Sequence, residues 1–187
     1  MTMLKSFVMG AVALVMTQAA SAQQFYGLGS IGFSDFTGGD ADNVCRNVQE
    51  CDRTGTAIKL VGGYKVSPSL AVEAGYWNYG RLTGERFGVT TELEASAFGA
   101  GLAYHHVFAP KWLGIARLGL SAMDAKLSNN AGFSAQESSA QFYGGLSLGY
   151  ALAPNIALDG AWDFAFASVN GSNVEINAVS LGLRVGF

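Results

Sequence analysis

The chain has 187 residues, a formal net charge of −3, and a composition that is 50% hydrophobic but only 13% charged, about half the charged share of an ordinary soluble domain. Mean hydropathy is +0.25, yet past the N-terminal region no segment stays apolar for the roughly 18 residues of a membrane-spanning helix, and no basic patch or nucleic-acid-binding motif occurs. Helical membrane bundles and nucleic-acid binding are thereby excluded; a closed β-barrel remains, because it alone among other folds pairs every backbone group inside a bilayer without a free edge.

The N-terminus reads as a secretory signal peptide over residues 1–22. Lys5 precedes an apolar run from Phe7 to Met16, and the small-residue site Ala20-Ser21-Ala22 follows. That run is too short to anchor a helix across the bilayer. Residues 23–187 then form one domain.

The three prolines organise that domain. Pro68 in VSPSL, Pro110 in FAPKW and Pro154 in LAPNI lie 42 and 44 residues apart, each in a short break between two alternating apolar segments. Such breaks read as tight turns on one side of the molecule. Between them the spacing predicts strands at Phe25–Ser34, Thr56–Val66, Leu70–Gly80, Ala95–Phe108, Trp112–Ala122, Gln141–Leu152, Ile156–Ala167 and Val174–Phe187. Each is near or above the 9–11 residues of a tilted membrane strand. On the other side, four longer polar stretches such as YGRLTGERFGVTTE and MDAKLSNNAGFSAQES read as loops. The expected fold is all-β: an eight-stranded antiparallel up-and-down transmembrane barrel with short turns at one end and long loops at the other.

Successive strand residues face opposite sides. One face gathers residues such as Leu60, Tyr64, Phe98, Leu118, Leu146, Trp162, Val179 and Leu181, and carries almost no charge. The opposite face is small or polar and holds Lys59, Glu73, His105, Arg117, Asp159, Asp163 and Arg184 among glycines and serines. Three basic and three acidic residues suit a filled lumen, where they neutralise one another. They make a poor water-facing surface. Aromatics near the prolines (Tyr64, Phe108, Trp112, Tyr150) and Phe187 read as a girdle at the membrane interface.

Taken with these features, FYGLGSIGFS, LVGGYKVSPSLAVEAGYWNYG, LGYALAPNIALDGAWDF and the terminal strand resemble the small eight-stranded outer-membrane barrels, the group that contains OmpX and the transmembrane domain of OmpA. The resemblance implies a place in the outer membrane of a Gram-negative bacterium. It implies contact with outer-membrane lipid and lipopolysaccharide, and handling by periplasmic chaperones and the outer-membrane assembly machinery. The terminal strand, with Leu181, Leu183, Val185 and Phe187, is then the assembly signal. The resemblance departs from OmpA itself in that no periplasmic peptidoglycan-binding domain is expected.

Cys45 and Cys51 in CRNVQEC are an even pair in the first long loop, and a disulfide is expected there; two free thiols or a metal pair are the alternatives. His105 and His106 point to opposite faces. The sequence HHVF lacks the serine that lipid A deacylases carry two positions after the histidine, so no catalytic residues are expected. Asp35, Asp40, Asp42 and Asp52 read as a solvated loop surface, and Asn170 in NGS as an incidental match to a glycosylation pattern. No metal or cofactor is expected. The function expected is a non-enzymatic, monomeric surface protein whose loops meet host ligands or support the envelope. A small ion-permeable pore is the alternative, and a lipid-modifying enzyme a more distant one.

Overall fold

Period-two alternation interrupted by turns generates a meander, in which each strand pairs with the next and side chains divide between two faces. The computed structural model describes residues 24–46, 50–169 and 172–187. The expected signal peptide lies outside the described residues. The elements are β1 (Phe25–Thr37), α1 (Gly39–Val44), β2 (Glu50–Asp52), β3 (Thr54–Lys65), β4 (Leu70–Arg86), β5 (Val89–Ala109), β6 (Trp112–Asn129), β7 (Ser134–Ala153), β8 (Ile156–Val169) and β9 (Ser172–Gly186). Strands β1 and β3 to β9 pair antiparallel with their neighbours in chain order, and β1 closes the ring against β9. The barrel therefore has eight strands. The short β2 adds only to the upper end of β4, from Asp52↔Thr83 to Glu50↔Glu85.

Each proline sits in a tight turn at one end, between β3 and β4, β5 and β6, and β7 and β8. Register shifts lie beside the second and third, between Val107 and Ala109 and between Ala151 and Ala153. Such bulges let a short turn close without forcing a proline into the ladder.

The other end differs from expectation. The stretches read as long loops after Tyr79 and after Met123 are mostly strand. β4 continues to Arg86 and β5 begins at Val89, joined by a two-residue turn in which Phe87 and Gly88 both take positive φ (49° and 78°). That conformation matches the twist of a hairpin. β6 continues to Asn129 and β7 begins at Ser134. Polarity misled the sequence reading here: above the membrane a strand needs no lipid-facing side chains, so charged residues occupy its outer face.

The two faces fall as the alternation requires. Outside, Ile31, Phe33, Leu60, Phe98, Leu118, Phe142, Leu146, Val179, Leu181 and Leu183 are exposed. Inside, Lys59, Glu73, His105, Arg117, Asp159, Asp163 and Arg184 are buried. The lumen is not polar throughout, however. Toward the loop end it holds a second, apolar cluster of Phe36, Leu82, Leu93, Met123, Val174 and Ile176, with Ala41 of α1 buried in it and Val44 and Cys45 packed against it. The alternation thus inverts along the strands, apolar outward near the proline turns and apolar inward near the loops.

In β4 the inversion requires a change of phase. The register against β5 shifts between Asn78 and Arg81, at Gly80, whose φ is +73°. The Asn78 side chain accepts a hydrogen bond from the Gly80 N–H at 2.8 Å. A Cβ at Gly80 would stand 2.7 Å from both N and O of Thr56. Only glycine fits there. One extra residue turns Leu82 inward, where simple alternation from Tyr76 would have left it outside.

Candidate functional site: a sealed lumen and a protruding sheet

The lumen charges pair one to one. Lys59 Nζ reaches Asp163 Oδ2 at 2.5 Å, Arg117 Nε reaches Glu73 Oε2 at 2.8 Å, and Arg184 Nη2 lies 3.3 Å from Asp159 Oδ2. The partners come from β3 and β8, β6 and β4, and β9 and β8, so each bridge ties strands across the wall or the axis. Tyr26 of β1 donates to Glu73 Oε1 at 2.5 Å, and its hydroxyl lies 3.3 Å from His105 Nε2. Arg117 Nη1 donates to Ser147 Oγ at 2.7 Å. Arranged this way the charges neutralise one another in a space with little water, which unpaired ions could not do.

Ser147, on the small and polar face by alternation, and Tyr26, which the sequence does not mark out, join this network. Both lie on inward positions of their strands, so the alternation contained the signal, but neither carries charge. Above the ions, Trp77 and Tyr143 pack at an interplanar angle of 49° with ring centroids 4.7 Å apart, and together with Tyr79 they belong to the apolar cluster. Ions below and hydrocarbon above leave the barrel interior filled.

The remaining candidates separate. Cys45 and Cys51 are joined in a disulfide, which fastens α1 to β2. His106 faces outward while His105 faces the lumen, so the two cannot act together. Asp42 bridges Arg53 at 2.8 Å, and Asp52 Oδ1 accepts the Thr54 N–H at 2.9 Å. Asp42 and Asp52 therefore have local partners. The side chain of Asp40 and all of Asn170 lie outside the described residues. Among the described residues no group of three His, Cys, Asp or Glu side chains is placed to hold a metal ion.

The loop end carries the more distinctive feature. β4, β5, β6 and β7 run on together past the apolar band. Their outer face there is polar: Arg81 lies 3.4 Å from Glu92 and 3.7 Å from Glu94, and Ser138 donates to Asp124. Asn130 ties the two hairpin tips together, its side chain accepting from Thr90 N–H at 3.2 Å and donating to Gly88 O at 3.0 Å.

One edge of this extension is covered and the other is not. β2 pairs with the upper part of β4. On the far side, β7 pairs with β8 only from Tyr143 onward although β8 runs to Val169, so among the described residues Gln136, Ser138 and Ala140 have no ladder partner on that side. The hydrogen bond from Asn129 N–H to Phe133 O (2.9 Å) sets the phase of the β6–β7 ladder. Odd-numbered residues of β7 bond to β6, and the N–H and C=O groups of Gln136, Ser138 and Ala140 point to the open side.

Residues 6–187 match the family described as outer membrane protein beta-barrel domain, and the chain belongs to that family. It is thus a β-barrel of the Gram-negative outer membrane, in which short turns face the periplasm and the opposite end faces outward. Among solved structures it is similar to Neisserial surface protein A, at 18% identity and a TM-score of 0.66, covering 87% of this chain and 97% of that one. The N-terminal barrel domain of OprF from Pseudomonas aeruginosa is similar at 12% identity and a TM-score of 0.57, covering 89% and 100%. Ail, the attachment invasion locus protein of Yersinia pestis, is similar at 16% identity and a TM-score of 0.54, covering 86% and 99%. At these identities the likeness shows the fold alone. No curated protein sequence matches the chain.

Proposed function

We propose that this protein is a non-enzymatic surface-interaction protein, in which the barrel is an anchor and the protruding β4–β7 sheet is the working part. The observation that carries this reading is the open edge of β7 at Gln136, Ser138 and Ala140. An unpaired strand edge offers a row of backbone donors and acceptors to an extended segment of another protein, which then adds as a further strand. Such recognition depends mainly on the partner's backbone and needs no sequence motif in the loops. The attachment role in the name of the similar barrel Ail accords with it.

The filled lumen speaks against the pore reading, because three buried ion pairs and an apolar cluster leave no continuous water path. The separation of His105 from His106 and the hydrogen-bonding of His105 to Tyr26 speak against lipid hydrolysis. Lipopolysaccharide would then surround the polar outer wall around Arg81 and Lys126, and the terminal strand from Val179 to Phe187 would serve as the assembly signal.

The test is Gln136→Pro combined with Ser138→Pro. Both N–H groups point to the open side, so the prolines remove donors there and leave the β6 ladder intact. Cells displaying the variant should lose adherence to wells coated with extracellular-matrix protein, while the purified barrel keeps its heat-dependent gel mobility. Undiminished adherence with an intact barrel would contradict the proposal.

A further inference from the structure

The periplasmic mouth of the barrel holds a cavity of about 200 Å³ lined by Tyr26, Lys65, Lys111, Trp112, Asn155 and Arg184, among other residues. Its charged side chains are all basic. Lys65 ends β3, Lys111 stands in the turn between β5 and β6, and Arg184 reaches in from β9. Every acidic residue outside the lumen lies toward the loop end, from Asp35 to Glu175. The side-chain carboxylates nearest the mouth are engaged deeper in the lumen: Glu73 by Arg117 and Tyr26, Asp159 by Arg184.

Among the described residues neither Lys65 nor Lys111 forms an ion pair. Lys111 Nζ lies 5.8 Å from the centre of the Tyr150 ring, and Lys65 feels the repulsion of Arg184. Arg184 is only 8% exposed, and its Nη1 has no hydrogen-bond partner. Beside it stands Gly149, where a Cβ would fall 2.7 Å from Arg184 Nη2. The absence of a side chain there leaves the guanidinium its place at the cavity wall.

We propose that this mouth is a binding site for a phosphate group, held by Lys65, Lys111 and Arg184. Two lysines without a carboxylate partner line one cavity with Arg184, whose Nη2 faces Asp159 while its Nη1 has no hydrogen-bond partner, and the excess positive charge is balanced when an anion enters. Donors on three residues of one cavity suit a ligand with three acceptor oxygens. Phosphate offers them and a carboxylate does not, and charge-assisted hydrogen bonds to it are strong. The group arrives as the headgroup of a phospholipid in the inner leaflet or as a soluble phosphate compound of the periplasm.

The test uses the full mature barrel folded in octyl glucoside, a detergent without phosphate. Inorganic phosphate and dihexanoyl phosphatidylglycerol are titrated separately while backbone amide signals are followed by NMR. Saturable shifts at Lys65, Lys111 and Arg184 are expected, and Lys65→Gln with Lys111→Gln should weaken the binding by about tenfold or more, as loss of charge-assisted contacts requires. Lys126→Gln, at the loop end, should leave it unchanged. Shifts with inorganic phosphate identify a soluble ligand, and shifts with the lipid alone identify a headgroup. No saturable shift with either probe, or binding indifferent to the double lysine variant, would overturn the proposal.

Discussion

Lys59 and Asp163 come from strands 104 positions apart, yet their charged atoms meet at 2.5 Å, both buried in the lumen. Pairing makes such burial tolerable, and it makes removal of one partner expensive. Lys59→Met leaves Asp163 as a lone buried carboxylate and should cost about 3–5 kcal/mol. Lys59→Met with Asp163→Leu removes both charges and should cost far less. Urea-dependent folding into lipid vesicles, compared at equal slope, measures both. Equal costs for the single and double variants would show that the pair's charges matter little. These inward charges were readable in the sequence because a charge amid alternating apolar residues has one acceptable direction. The direction of Ser147 follows from the same alternation, whereas Tyr26 does not stand out, since a tyrosine suits either side of a barrel wall.

At the level of single strands, sequence and structure agree over the apolar band and part company above it. Val179, Leu181 and Leu183 announce a lipid-facing side, and the structure exposes them. Glu92 and Glu94, or Asp124 and Lys126, resemble loop residues until their apolar neighbours Leu93, Ala95, Met123 and Ala125 are seen to face a core. The same period of two persists with its sense reversed, because the solvent outside the wall has changed from hydrocarbon to water. Gly80 makes the reversal possible in β4. Gly80→Ala places a Cβ in a left-handed conformation and against the backbone of Thr56, which should cost at least about 1–2 kcal/mol. Hydrogen exchange should quicken at Leu82 and along the β2–β4 pairing while the ladder below Tyr76 stays protected. Unchanged exchange at Leu82 would mean that the bulge forms without glycine.

The molecule as a whole divides into three zones along its axis. A basic mouth faces the periplasm, a neutral set of ion pairs fills the membrane-embedded lumen, and an acidic, strand-built extension faces outward. Fold class and strand count follow from composition, prolines and alternation. The open edge of β7 does not, because it depends on how far β8 climbs beside β7, and neither strand's own residues specify that. All of this rests on which side of the wall the oily residues occupy. Nitroxide labels attached singly at Ser180 and at Leu181, adjacent residues of β9, measure it directly in lipid bilayers through their collision rates with oxygen. The account predicts a high rate at Leu181 and a low one at Ser180; equal rates, or the reverse order, would contradict it.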